Sequence, residues 1–435
     1  MLWGAFLERL KKFLNYRCIA IAVFVIVYLW CCLPATGIFE DAYYQYSSGG
    51  LSVPDGSQGF VNKFSSIEPL EYYSGTMNYI LRPITKGFIS MTFDTRLLGA
   101  VYFLILLTCF ILILRKVSYR YEWQNWLFSL FCLFVFADFA YLLNLNSPNV
   151  EPVFFVGVIS LITISVVQIH SSKATLLKSL LYALIALFLG GLKTGYAFLT
   201  PVLMLLSFSW FFVRRDMLFR AVNILLIIAV SVAAIYLFGN GVSEEMKNID
   251  LNSSLSDAFY SVSDDTISTF LTEKPLDYSV IIKEYSENPT KLIENLKTAA
   301  NNAYEIRPRY LSNYPGELKL KDGFIFYSNI KRRFIQADLW FMVIFLLAII
   351  IFSVFNLKRE TILSYKANYF SVIMLSIIAF CVFVAPVIIS GQNNIVRNLF
   401  LYNIFFDTLI IYVIIGGAAI TANRRDRLKA KYGIK

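Results

Sequence analysis

The sequence predicts an all-α polytopic membrane protein of about ten transmembrane helices, and three observations carry that expectation. Of its 435 residues, 57% are hydrophobic and 16% charged, against roughly 25% charged in a soluble domain. Apolar stretches of roughly 17 to 24 residues, enough to cross about 30 Å of hydrocarbon at 1.5 Å per residue, recur along the whole chain. Lys and Arg concentrate in alternate connections between those stretches.

The first stretch, residues 17–34, follows Arg9, Lys11 and Lys12. It is longer than the apolar core of a secretion signal and lacks a small-x-small cleavage site, so it reads as an anchor. Six more stretches follow at 98–114, 125–143, 152–169, 177–192, 197–213 and 219–238, and three close the chain at 338–356, 368–390 and 398–420. Only Gly190-Gly191-Leu192-Lys193-Thr194-Gly195 separates the fifth from the sixth. That run suits either a turn between two spans or a broken, re-entrant element.

With the N-terminus inside, the inner segments together with Arg17, Lys178 and Arg220 at the adjoining span ends hold 21 Lys/Arg against 5 Asp/Glu, the asymmetry of the positive-inside rule. Both termini are then cytoplasmic and both long loops face outward. The net charge of +10 becomes a label of topology, and a nucleic-acid partner is not needed to explain it. Cys18, Cys31, Cys32, Cys109, Cys132 and Cys381 all fall in or beside apolar spans, so no disulfide framework is expected. His170 is the only histidine and stands at an inner helix end, away from the outer candidate residues, so neither a histidine-based triad among them nor a multi-histidine metal site is expected.

Uneven spacing divides the chain into three parts. Residues 1–238 form an N-terminal transmembrane module with an outer loop at 35–97. Residues 239–337 form a second outer segment, and 338–435 a C-terminal transmembrane module with a basic tail. The first loop mixes Tyr, Met and apolar residues, as in P-L-E-Y-Y-S-G-T-M-N-Y, a composition suited to short helices lying in the interface. The second opens polar and shows a helical pattern after Asn288-Pro289, with Leu292, Leu296 and Ala299 on one face.

The charged residues near the outer surface are the candidates for chemistry. Glu40 and Asp41 stand in F-E-D-A-Y-Y-Q-Y, just past the first span; they can take a proton, bind a cation, or simply cap an interfacial helix. Glu151 precedes Pro152 at the start of the fourth span, with Asn144, Asn146 and Asn149 around it; caps and a turn explain that hairpin without requiring Glu151. Lys193, Arg307, Arg309 and Arg397 run against the orientation rule. Ammonium and guanidinium groups at that depth suit a lipid-linked phosphate, or pair with outer acids. Asp138 and Asp407 lie within apolar spans, where a proton path and interhelical hydrogen bonding both account for them.

Together these features resemble the GT-C superfamily of polytopic glycosyltransferases. The resemblance is one of architecture and covers most of the chain: a long first outer loop, an acidic motif after the first span, an acid in the next outer loop, and a second large outer segment after the seventh span. N-S-P-N-V-E-P (146–152) and A-N-N-A-Y-E-I-R-P-R-Y-L-S-N-Y (300–314) are similar to segments of hexosyltransferases that decorate S-layer and other surface glycans in Gram-positive bacteria. Where those relatives continue with a charged N-Y-E-K-like segment, this chain has N-Y-P-G (313–316).

The resemblance implies a bacterial plasma-membrane enzyme with an extracytoplasmic active site. It would move a hexose from a polyprenyl-phosphate donor to a hydroxyl of a surface glycan or a teichoic-acid-like polymer. Asp41, with Glu40 as the alternative, would be the general base. Glu151 would bind sugar hydroxyls, Lys193, Arg307 and Arg309 would balance charge on the departing phosphate, and Asn146, Tyr310 and Arg397 would be further substrate-binding residues. No resident cofactor is implied, although Mg²⁺ or Mn²⁺ shared by Glu151 and the first-loop acids is compatible with it. A donor-synthesising glycosyltransferase and a flippase would be functional partners. An O-antigen-type polymerase or ligase and a lipid-linked glycan transporter are the rival expectations; the long acidic first loop disfavours the former, and the absence of half-repeats the latter.

Overall fold

A computed structural model describes residues 15–32, 51–52, 63–64, 66–67, 93–119, 121–146, 150–171, 175–192, 196–239, 278–304, 327, 330–331, 333, 335, 338–391 and 395–413. Among them the protein is an all-α polytopic membrane protein. Six helices are long and apolar enough to cross a bilayer, a bent pair makes a seventh, and three shorter apolar helices accompany them. Each of the ten expected stretches coincides with one of these.

Helix α1 (Tyr16–Val27) continues as a π-helical turn, Tyr28–Cys32. It packs on α2 (Thr95–Lys116) through Phe24, whose ring centroid lies 5.1 Å from those of Phe103 and Phe110. Between them, the described residues of the first loop form two antiparallel ladders of two residues each. Leu51–Ser52 pairs with Ser66–Ile67, and Lys63–Phe64 with Phe93–Asp94. The rest of the stretch in which interfacial helices were expected lies outside the described residues.

The third span is broken. α3 (Glu122–Phe136) and α4 (Phe139–Leu142) are separated at Asp138, the two halves bent by 43°, and a 3-10 turn, Leu143–Asn146, ends the element. Asp138 makes the break tolerable. Its carboxylate accepts from the Ala140 N–H at 2.8 Å, so the donor freed by the interruption is not stranded in an apolar surrounding. α5 (Val150–His170) follows and is the most enclosed of the candidate spans, with 83% of its apolar window buried.

The Gly-rich break separates two elements. α6 (Leu176–Gly190) turns back into a span that begins 3-10, runs through α7 (Leu199–Met204) and a second 3-10 stretch, and ends in α8 (Trp210–Val213). Tyr182 donates to the Leu203 carbonyl at 2.7 Å and Thr200 to the Ala186 carbonyl at 3.0 Å. Partners that step forward on one strand and backward on the other define an antiparallel hairpin. Gly190 permits its close approach, since a Cβ there would collide with Thr200 Oγ1.

α9 (Met217–Gly239) lies on the outside, with only 17% of its window buried. Between α9 and the next span, α10 (Tyr278–Glu287) precedes α11 (Pro289–Asn302), the helix expected after Asn288. Leu296, Ala299 and Ala300 form its buried face. α12 (Leu339–Arg359) and α13 (Leu363–Ser390) make a second hairpin, and α14 (Ile395–Asn398) leads into α15 (Phe400–Ile411), whose residues are nearly all buried. Five buried hydroxyls are satisfied within their own helices: Ser129, Thr163, Ser371, Ser376 and Thr408 each donate to the carbonyl four residues back, so they can face apolar neighbours without an orphaned donor.

Candidate functional site

The described ends of several segments gather at one end of the helix bundle. The π-helical turn that closes the first span packs against α4 and the Leu143–Asn146 turn. Tyr28 there stacks on Phe103, ring centroids 3.8 Å apart. Gly99, near the start of α2, presses against the same turn: a Cβ would strike Asn146 Oδ1 and lie 3.2 Å from the Leu145 carbonyl. Asn146 is fully buried, Asn144 donates to the Ala140 carbonyl at 2.8 Å, and Glu151 in the first turn of α5 is only 7% exposed. Phe154, one turn further, faces Tyr196 at 5.9 Å, immediately after the Gly-rich break.

The segment between α9 and α12 also reaches this end. α11 packs on α12, α13 and α14, and its last turn is fastened to α15: Asn403 Nδ2 donates to the Ala303 carbonyl at 2.6 Å. The Tyr304 ring lies 5.3 Å from Phe406 and 6.4 Å from Tyr402. Burial holds the Tyr304 phenol well above its ordinary range.

Beneath this gathering lies a charge cluster only half foreseen. Lys331 and Asp407 form an ion pair with both side chains fully buried, Nζ to Oδ1 at 2.8 Å and to Oδ2 at 3.0 Å. Lys331 also donates to Asn403 Oδ1 at 2.8 Å. Tyr327 donates to Asp407 Oδ1 at 2.9 Å and Tyr141 to Oδ2. Removing each ion from water costs several kcal/mol, so such a pair holds only when hydrogen bonds fill the remaining positions; here Tyr141, Tyr327 and Asn403 fill them. Burial lowers the Lys331 ammonium below its ordinary value, and Asp407 opposes that shift. Asp138 acts on Lys331 electrostatically as well, so both intramembrane acids face one lysine.

Of the residues singled out by sequence, Glu151 and Asn146 belong to this end of the bundle. Glu40, Asp41, Lys193, Arg307, Arg309 and Tyr310 lie outside the described residues, and Arg397 stands in α14 with its side chain outside them. What is described is the framework around them: Cys32 before the acid pair, Leu192 and Tyr196 about Lys193, Tyr304 before Arg307. Lys331 escaped the sequence reading although the same signal marks it. Lys331, Arg332 and Arg333 are basic residues next to the eighth span on the side expected to be poor in them.

A family model described as the YfdI N-terminal transmembrane domain matches residues 8–265 and 260–434. No curated protein and no solved structure matches the chain.

Proposed function

The chain belongs to the YfdI N-terminal transmembrane domain family, and from that premise we propose that it is a membrane glycosyltransferase of the GT-C kind. It takes a hexose from a polyprenyl-phosphate carrier and places it on a hydroxyl of a cell-surface glycan. The observation that carries this reading is convergence. The turn leading to Glu40 and Asp41, the buried Asn146 and Glu151, Tyr196 beside the Gly-rich break, and the α11 terminus leading to Arg307 all belong to one end of the bundle.

In this reading the acceptor oxygen bonds to the anomeric carbon as the bond from that carbon to the phosphate oxygen breaks. The hydroxyl proton passes to Asp41, or to Glu40, and the polyprenyl phosphate leaves as an anion. Phosphate departs without being protonated, so a second carboxylic acid of the glycosidase type is unnecessary. Lys193, Arg307, Arg309 and Arg397 balance the developing charge, while Glu151, Asn146 and Tyr310 hold the sugar. A polymerase or ligase acting on lipid-linked glycans, and a transporter of them, are the competing assignments.

The test is transfer from radiolabelled polyprenyl-phosphate hexoses in membranes carrying the wild type or Asp41→Asn. Turnover by the wild type, lost in the variant while Glu40→Gln keeps it, supports Asp41 as the base. Equal transfer by wild type and Asp41→Asn removes Asp41 from that role, and no turnover with any lipid donor removes the enzyme reading.

A further inference from the structure

At the opposite end of the bundle the helices enclose a cavity of about 110 Å³, opening to about 1090 Å³ with its mouth included. Its shape follows from two facing stripes. Phe128, Cys132 and Phe136 line it from α3, and Ile162, Val166 and His170 from α5. Each stripe repeats every four residues over eight, about 12 Å along the helix axis. The hollow is therefore elongated and parallel to the helices.

Its lining changes along that length. Ile113, Phe136, Ile162, Val166 and Val372 make the inner part mainly apolar, with Ser353 and Thr408 among them, the latter's hydroxyl donating to the Ile404 carbonyl. Ser118, Tyr119, His170 and Tyr365 stand where the helices end, and Asn368 about one turn in. Water filling the inner part would find few partners. An apolar chain with a polar head matches both regions.

Charge at the mouth points to the sign of that head. Arg214 Nη2 donates to the Ser171 carbonyl at 3.1 Å, next to His170. Lys116 precedes the lining residue Val117, and Lys178 lies within electrostatic reach of both Lys116 and Arg214. Two cations, Lys116 and Arg214, thus lie within electrostatic reach of a third, Lys178, and each neighbours a segment that lines the slot. The nearby acids Asp216 and Glu360 are engaged with backbone, accepting from Leu218 N and from Thr361 and Ile362 N respectively; Glu122 stands in the first turn of α3. Like charges held close are unfavourable unless an anion joins them.

We infer that this cavity binds one acyl chain of an anionic phospholipid, with the lipid phosphate on Lys116, Lys178 and Arg214. The surrounding bilayer supplies the ligand, and the site is independent of the glycosyltransferase reading because it lies at the other end of the bundle.

The experiment uses the full-length protein, purified in detergent, delipidated and re-exposed to palmitoyl-oleoyl phosphatidylglycerol or to phosphatidylcholine with the same chains. Bound lipid is counted by native mass spectrometry. The wild type retains phosphatidylglycerol over phosphatidylcholine by roughly tenfold or more, the scale of two interfacial cations. Lys116→Gln/Lys178→Gln reduces that preference toward parity, and Val166→Phe, which fills the slot, lowers retention of both lipids with helical circular dichroism unchanged. Equal retention of the two lipids by the wild type, or an undiminished preference in the double variant, overturns the site; so does normal retention by Val166→Phe. Should Val166→Phe fail to fold, the Lys116/Lys178 variant still decides. Stronger retention of a polyprenyl phosphate than of phosphatidylglycerol at equal concentration overturns the phospholipid in favour of a carrier lipid.

Discussion

Lys331 Nζ lies 2.8 Å from Asp407 Oδ1, with neither side chain exposed. The pair joins the chain just before α12 to the middle of α15. Through Asn403, which accepts from Lys331 and donates to the Ala303 carbonyl, it also reaches the end of α11. Two segments of the chain between α9 and α12 are therefore tied to a single buried helix, and the approach to Arg307 starts from a fixed point.

Asp407→Asn leaves the Lys331 ammonium buried without its counter-charge and is expected to cost about 3–5 kcal/mol. Lys331→Met leaves the carboxylate in the same position and is expected to cost a similar amount. The double change Lys331→Met/Asp407→Leu removes both ions together and regains most of the loss. Reversible unfolding in detergent measures all three. A double variant no more stable than either single one would mean that the cluster acts through packing instead of charge.

Gly190 and Thr200 make a second, local prediction. Gly190→Ala drives a methyl group into Thr200 Oγ1 and is expected to destabilise the α6 to α8 hairpin by about 1–3 kcal/mol. Thr200→Ala vacates that space at the cost of its bond to the Ala186 carbonyl, worth about 1 kcal/mol. In the pair Gly190→Ala/Thr200→Ala the two penalties should fall short of additivity, as thermal unfolding of the four proteins would reveal. Strict additivity would exclude the collision as the cause.

Much of this architecture was legible because a bilayer makes a simple demand: backbone groups must be satisfied inside each segment, so long apolar runs become helices. The expected helix after Asn288 was legible for the same kind of reason, an apolar face of Leu296 and Ala299 behind a proline suited to a first turn. The break at Asp138 was not, since hydropathy runs smoothly through Phe136, Ala137 and Phe139 and only the carboxylate's bond to Ala140 reveals the bend. Lys331 lay hidden for another reason. Its partner Asp407 is 76 residues away in sequence, and no periodic pattern encodes a pairing between the chain ahead of α12 and the middle of α15. At the candidate site, the placement of Glu151 and Asn146 followed from the hairpin that contains them. The contact of Asn146 with the start of α2 depends on Gly99, whose significance is visible only in three dimensions.

Within the proposed function, Glu151→Gln tests the sugar contact. The amide keeps the shape of the side chain but gives up its charge, and a hydrogen bond to a charged acceptor is worth about 1.5–3 kcal/mol. Transfer measured as kcat/KM should fall by roughly 10- to 150-fold while unfolding changes little. Unaltered transfer would return Glu151 to its plain role in the first turn of α5.

Tyr304 supplies a pH prediction whose sign follows from linkage. Burial raises its phenol above the ordinary value of about 10, so the folded protein resists losing a proton that the unfolded chain gives up readily. The stability contributed by this mismatch is fully present below about pH 10 and is lost as the pH rises through the folded value. Tyr304→Phe removes the titration while keeping the ring contacts with Phe406 and Tyr402. The difference in stability between wild type and Tyr304→Phe should therefore be flat from pH 7 to 9. Above about pH 10 it should turn against the wild type by up to about 1.4 kcal/mol per pH unit. A difference that stays level to pH 11.5 would mean that the phenol reaches water, and with it that the end of α11 is not held against α15 as Asn403 and Ala303 place it.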